Sequence, residues 1–282
     1  MHTFSRNGLT FEVTDTGPDD GPVVVALHGF PQDRSSWDAV TPALTAAGYR
    51  VLAPNQRGYS PGARPGRRRD YRVALLAGDV LALVEQAGAE SFHVMGHDWG
   101  AVVAWFLAAR HPDRVRSLVA VSVPHPTAWY ASAVRSGQLF RSWYMGLFQL
   151  PVLPERLLGA RRGDRLRASL RHSGLDDRHA RRYAARYADM TGPLNWYRAL
   201  PLNRERLPPV DVRTLFVWSD RDGYVSRRTA ELCGRWVRGP YRYEVLNGVS
   251  HWIPEQEPDR LATLVVQHLT SVDRVGRERL EP

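Results

Sequence analysis

Short apolar runs and segments of helical period alternate along the first 123 residues. Val23–Leu27 (VVVAL) is apolar at every position, as expected of a strand covered on both faces. Tyr49–Ala53, Phe92–Gly96 and Val115–Val123 read as further buried strands, and Thr10–Asp15 as an early antiparallel one. Between them, Ser36–Ala47, Tyr71–Ala87 and Ala101–Arg110 read as helices, with Gly48 and Gly88 as stop signals for the first two. From Pro124 to about Pro209 the strand signal vanishes, and helical segments rich in arginine and aromatics replace it. The alternation then resumes with strand Val212–Trp218, helix Ser226–Val237, strand Arg242–Leu246 and a closing helix, Asp259–Leu269; the tail from Val272 reads as frayed. This rhythm predicts an α/β protein with a mostly parallel sheet. Residues 1–123 and 210–282 form its core domain, and 124–209 a helical cap, or lid, over the carboxyl ends of the strands, where open α/β sheets bind ligands.

Composition narrows the reading. The 282 residues are 43% hydrophobic and 24% charged, the profile of a globular chain. One cysteine, Cys233, excludes an internal disulfide and cysteine-rich metal sites, and suits a reducing, cytoplasmic setting. The start MHTFSRNG has no apolar signal-peptide core, and the longest apolar run, Ala101–Ala109, is about half a membrane span. The net charge of +9 suggests a polyanion partner, yet all 38 basic residues are arginine and most are dispersed. A codon-biased, solvated surface explains that pattern better, so neither nucleic acid nor membrane is expected as a partner.

Chemistry concentrates at strand-to-loop junctions. Gly96-His97-Asp98-Trp99-Gly100 lies between a buried strand and an apolar helix. A small-x-nucleophile-x-small turn there exposes its central side chain, so Asp98 is the expected nucleophile, ionised by the positive end of the helix that follows. The plain alternative is that Asp98 only caps that helix. His28-Gly29-Phe30-Pro31 ends the first buried strand, and the N–H groups of Phe30 and Trp99 are expected to form an oxyanion hole. His251, in Asn247-Gly248-Val249-Ser250-His251-Trp252 after the last strand, has the late position that a general base needs in this architecture. Its orienting acid should follow Val212–Trp218, where Asp222 is preferred over Asp220 for its reach. His97 and His93 read as packing residues and His28 as a brace of its turn.

Together, HGFP, GHDWG, the late acid and SHW make the chain resemble the α/β-hydrolase-fold epoxide hydrolases of the soluble, aspartate-nucleophile type, over nearly its whole length. The resemblance implies an eight-stranded, mostly parallel sheet. It implies that Tyr144, in SWYMGLFQ, and Tyr197, in LNWYR, are cap phenols that donate to the epoxide oxygen. It also implies hydrolysis of an epoxide to a vicinal diol through a covalent Asp98 ester, broken by water that His251 activates with Asp222 behind it. Pro31, Trp143, Phe148 and Trp196 are assigned to substrate binding in an apolar pocket. No cofactor or metal is expected; the partners are a small apolar epoxide and water, with a homodimer left open. In Pro54-Asn55-Gln56-Arg57-Gly58, Asn55 stands where relatives often carry an acid, which should change a structural hydrogen bond, and Ser219 replaces a common glycine.

Two rival functions fit the same fold. A haloalkane or haloacid dehalogenase would use the same aspartate, with Trp99 available as a halide donor, but paired cap phenols suit an alkoxide better. A non-catalytic ligand-binding relative would be expected to have lost part of this set.

Overall fold

The computed structural model describes residues 1–133, 137–203 and 206–278. Parts of the expected cap range (134–136 and 204–205) and core range (279–282) therefore lie outside the described residues. Eight strands, β1 (Thr3–Arg6), β2 (Leu9–Thr16), β3 (Val23–Leu27), β4 (Arg50–Pro54), β5 (Phe92–His97), β6 (Val115–Val121), β7 (Arg213–Ser219) and β8 (Tyr241–Leu246), form one sheet in the order β1-β2-β4-β3-β5-β6-β7-β8. β1–β2 and β2–β4 are antiparallel, and every other pairing is parallel.

Alternate residues of the apolar strands face opposite layers. Val23, Val25 and Leu27 join a core with helices α2 (Val73–Gln86) and α3 (Trp99–Arg110). Val24 and Ala26 face a second core closed by α1 (Thr41–Ala46) and, at the chain end, the helix Pro258–Glu278. Between β6 and β7 come α4 (Pro126–Ser132), α5 (Gln138–Arg141), α6 (Trp143–Leu147), α7 (Leu153–Gly159), α8 (Asp164–His172), α9 (Asp177–Ala184) and α10 (Thr191–Arg198). After β7 follow α11 (Arg227–Glu231), α12 (Ile253–Gln256) and that closing helix, α13. Segments of the α4–α10 stretch lie on the loops that leave the parallel strands: Trp196 donates to the Arg57 carbonyl beyond β4, and Tyr197 packs on Phe30 beyond β3 and on Trp99 beyond β5.

The elements depart from expectation where local chemistry overrides period. β1 was not foreseen; it pairs with β2 across Asn7-Gly8, both at positive φ, the hairpin turn such a dipeptide favours. The Ser36–Ala47 helix is broken into a 3-10 turn at Arg34–Trp37 and α1, with Pro42, which supplies no N–H, in the first turn of α1. Ser226–Val237 shortens to α11 plus a 3-10 turn at Cys233–Trp236, where Gly234 weakens the helix. The tail is helical through Glu278 instead of frayed: Asp273 is tied to Arg116 at 2.5 Å and to the Tyr49 hydroxyl at 3.0 Å.

Candidate active site

The turn after β5 is set by two close approaches. A Cβ on Gly96 would lie 2.3 Å from the Gly100 carbonyl oxygen, and one on Gly100 would lie 2.0 Å from that of Leu27. With both positions bare, the chain turns sharply from strand to helix and holds Asp98 at φ 52°, ψ −118°, a conformation costly for a residue with a side chain. Asp98 makes no side-chain cap bond to α3. Its carboxylate is turned away from the helix, against the reading of a simple cap. Oδ1 accepts the Phe30 N–H at 2.8 Å, and Oδ2 faces His251 Nε2 at 3.5 Å.

On its other side, His251 Nδ1 meets Asp222 Oδ2 at 2.8 Å. Asp222 Oδ1 accepts the N–H groups of Tyr224 and Val225 at 2.7 and 2.9 Å, which leaves Oδ2 aimed at the histidine. Asp220 is exposed and accepts the Gly248 N–H at 2.7 Å, so it serves its loop. Burial alone would lower the His251 pKa, but Asp222 and Asp98 on either side raise it to about 10. Burial would raise Asp98, yet His251, His97 and the Phe30 N–H together hold it below the usual carboxylate range.

Two phenols close the space above the carboxylate. Tyr144 and Tyr197 have ring centroids 6.0 Å apart, and Tyr197 stands edge-on to Trp99 at 5.0 Å. Burial first, and negative charge at Asp98 in addition, keeps both hydroxyls protonated far above neutral pH. Asp98, both tyrosines, Trp99, Val102 and Met145 border a cavity of about 110 Å³. Val102, Tyr130, Pro126 and Leu200 are shared with a second cavity of about 770 Å³ whose wall includes Phe106 and Leu207.

The α/β hydrolase fold family matches residues 22–258. The chain is 31% identical over 313 aligned residues to epoxide hydrolase A of Mycobacterium tuberculosis (strain ATCC 25618 / H37Rv), covering 95% of this chain and 96% of that protein. It belongs to the α/β-hydrolase-fold epoxide hydrolase family. It is also 34% identical to the AB hydrolase superfamily protein YfhM of Bacillus subtilis (strain 168), over 94% of this chain and 96% of that one. The crystal structure of epoxide hydrolase A from Mycobacterium thermoresistibile superposes with a TM-score of 0.83 at 28% identity, over 95% of this chain and 97% of that one. The chain is thus an enzyme of the hydrolase class, and among the described residues no helix is long and apolar enough to cross a membrane.

In this epoxide hydrolase family member, Asp98, Tyr144 and Tyr197 border one cavity, and Phe30, His251 and, behind it, Asp222 are joined to Asp98 by the contacts given above. Trp99 borders the cavity too, but among the described residues Phe30 supplies the one backbone N–H bonded to the Asp98 carboxylate. The four residues expected to bind substrate have different surroundings. Trp143 is 69% exposed, because α6 turns Tyr144 and Met145 inward and leaves Trp143 on its outer side. Phe148 packs behind the phenols, 4.9 Å from Tyr197 and 5.5 Å from Tyr144. Trp196 is buried with its N–H engaged by Arg57, and Pro31 is buried in its turn; none of the four borders the cavity at Asp98. Trp129 does border it.

Two further residues escaped sequence reasoning. Tyr224 sits between His251 and Tyr144, with ring centroids 4.9 and 5.7 Å away; its place two residues after Asp222 was the available signal. Ser122, at φ 66° beyond β6, donates to the His251 carbonyl at 2.9 Å. His28 braces its turn as expected: its Nε2 accepts the Gln56 N–H at 3.2 Å, and burial lowers its pKa to about 4. Asn55 accepts the Arg34 N–H at 3.0 Å and donates to Glu12 at 2.7 Å; an ionised acid could not make that donation.

Proposed function

We propose that this hydrolase opens epoxides to vicinal diols in two steps, with residues 124–209 acting as the cap domain on a core of 1–123 and 210–282. The observation that carries the reading is a buried carboxylate with one oxygen unbound by backbone donors, facing two protonated phenols across a small apolar cavity. In the first step Asp98 Oδ2 attacks an epoxide carbon. The ring C–O bond breaks, and the oxygen takes a proton from Tyr144 or Tyr197, leaving a hydroxyalkyl ester. Attack of this kind at alkyl carbon gives a stable ester, whereas attack on a carboxylic ester would give a labile anhydride.

Ester formation removes the Asp98 charge, one of the two that hold the proton on His251. The imidazolium then reprotonates the tyrosinate and becomes a base, oriented by Asp222. It takes a proton from water as the water oxygen adds to the ester carbonyl. The oxyanion forms on Oδ1, already held by the Phe30 N–H, with the Trp99 N–H as second donor in the tetrahedral stage. Collapse breaks the bond between the Asp98 carbonyl carbon and the ester oxygen, the departing oxygen takes the proton from His251 to give the diol, and the Asp98 carboxyl returns its own proton to His251. The larger adjoining cavity takes the apolar substituent of the substrate.

His251→Gln tests the division of roles. Given styrene oxide, this variant should show by intact-mass spectrometry a stable adduct localised to Asp98. Halide release from chloro- and bromoalkanes by the unaltered enzyme, without diol formation from any epoxide, would instead make it a dehalogenase.

A further inference from the structure

Beneath the catalytic residues runs a buried polar chain that the proposed reaction does not use. The Gly29 N–H donates to Gln32 Oε1 at 2.9 Å, which fixes the amide so that its oxygen also faces His97 Nδ1 at 2.8 Å. The Gln32 NH2 group then donates to Glu255 Oε1 at 2.6 Å, an oxygen that also receives the Tyr183 hydroxyl at 2.7 Å. At its other end, His97 Nε2 faces the His251 carbonyl oxygen at 2.9 Å. Both ring nitrogens of His97 therefore point at oxygen acceptors. A neutral imidazole carries one N–H, and would set a lone pair against one of those oxygens. Turning the Gln32 amide over does not relieve this, because its NH2 would then oppose the Gly29 N–H, and its oxygen the Glu255 carboxylate.

We infer that this chain holds one proton more than its neutral tautomers supply, that the proton resides on His97, and that Glu255 is its counterion through Gln32. Charge in the cluster favours the assignment. Three carboxylates, Asp98, Asp222 and Glu255, lie around His97 or at the end of its chain, while His251 alone would balance only one. Burial and the neighbouring His251 charge oppose it, pulling His97 down; Asp98, the His251 carbonyl and Asp222 push the other way. Burial pushes the Glu255 carboxyl up, against the donors Gln32 and Tyr183 and the charge of His179, so an anion there calls for a cation at the other end of the chain.

The consequence falls on the catalytic base. As a double donor, His97 ties the turn carrying the Phe30 N–H to the loop carrying His251, and its charge lowers the basicity of the imidazole 4.8 Å away. Glu255 and His97 are thus positioning residues: neither need touch substrate.

Long-range ¹H–¹⁵N correlation of the histidine side chains tests this without any turnover, so it stands or falls apart from the assigned reaction. In the unaltered protein at pH 7, His97 (identified by its disappearance in His97→Asn) should show protons on both ring nitrogens. In Glu255→Gln, which keeps the shape and removes the charge, one of those protons should be lost; in Glu255→Asp both should remain. The same Gln variant should move the pH limb assigned to His251 upward by about one unit, because the neighbouring cation is gone. A singly protonated His97 in the unaltered protein, or a doubly protonated one that persists in Glu255→Gln, would overturn the inference.

Discussion

The two walls of the site are held in different ways. On the strand side, Asp98 is fixed by a strained backbone between close-packed glycines, and the His251 carbonyl receives Ser122 at 2.9 Å and the Ile253 N–H at 3.0 Å. On the helical side the phenols have unequal supports. Tyr197 lies in α10, buried from Gly192 to Arg198 and pinned through Arg198, which bonds Glu155 at 2.7 Å and the Leu150 carbonyl at 2.7 Å. Tyr144 lies in α6, five residues long and with none fully buried, and is held mainly by the rings of Phe148, Tyr197 and Tyr224. Asp98 and His251 are therefore placed by backbone, and the two phenols by side-chain packing on a frame firm on one side only.

That contrast orders the expected effects. Asp98→Ala should lower turnover by about 10⁴-fold or more if the proposed Asp98 ester carries the reaction. Tyr197→Phe should cost about 10²-fold and Tyr144→Phe about 10-fold, both in kcat, with the double variant blocking ester formation. Equal losses from the two single variants would show that the firmness of the frame does not matter. Gly29→Ala should destabilise the fold by about 1–3 kcal/mol, because its Cβ would lie 2.4 Å from that of Asp98. Chemical denaturation measures that loss.

Much of the strand side was legible in the sequence, because the constraint there is local. Glycine spacing around Asp98 reports the close backbone approach, and the order of aspartate, acid and histidine follows from which strand each residue leaves. Asp222 could be preferred over Asp220 on reach alone. The helical side was less legible. Trp143 and Tyr144 are adjacent, yet one is turned to solvent and the other to the cavity, and five residues of helix carry too little period to separate them. Gln32, Ser122 and Glu255 were invisible because their roles depend on partners distant in the chain: 223 positions separate Gln32 from Glu255.

Smaller effects sharpen the contrast. The His251 proton is held to about 10, whereas an unfolded histidine releases it near 6.5. Its contribution to stability is therefore complete below 6.5 and disappears as the pH rises through about 10. Melting temperatures of the unaltered protein and His251→Gln should converge over that window. Trp143→Ser should change stability by no more than about 0.5 kcal/mol and leave kcat untouched, as suits a side chain in solvent. A large loss of activity would return Trp143 to the site.

The central claim, attack by Asp98 itself, is tested most directly by a single turnover in H₂¹⁸O with enzyme in excess over epoxide. The diol should emerge without solvent label, with one ¹⁸O left in the Asp98 carboxylate. Labelled diol and an unlabelled enzyme would mean that water attacks the epoxide directly, contradicting the account.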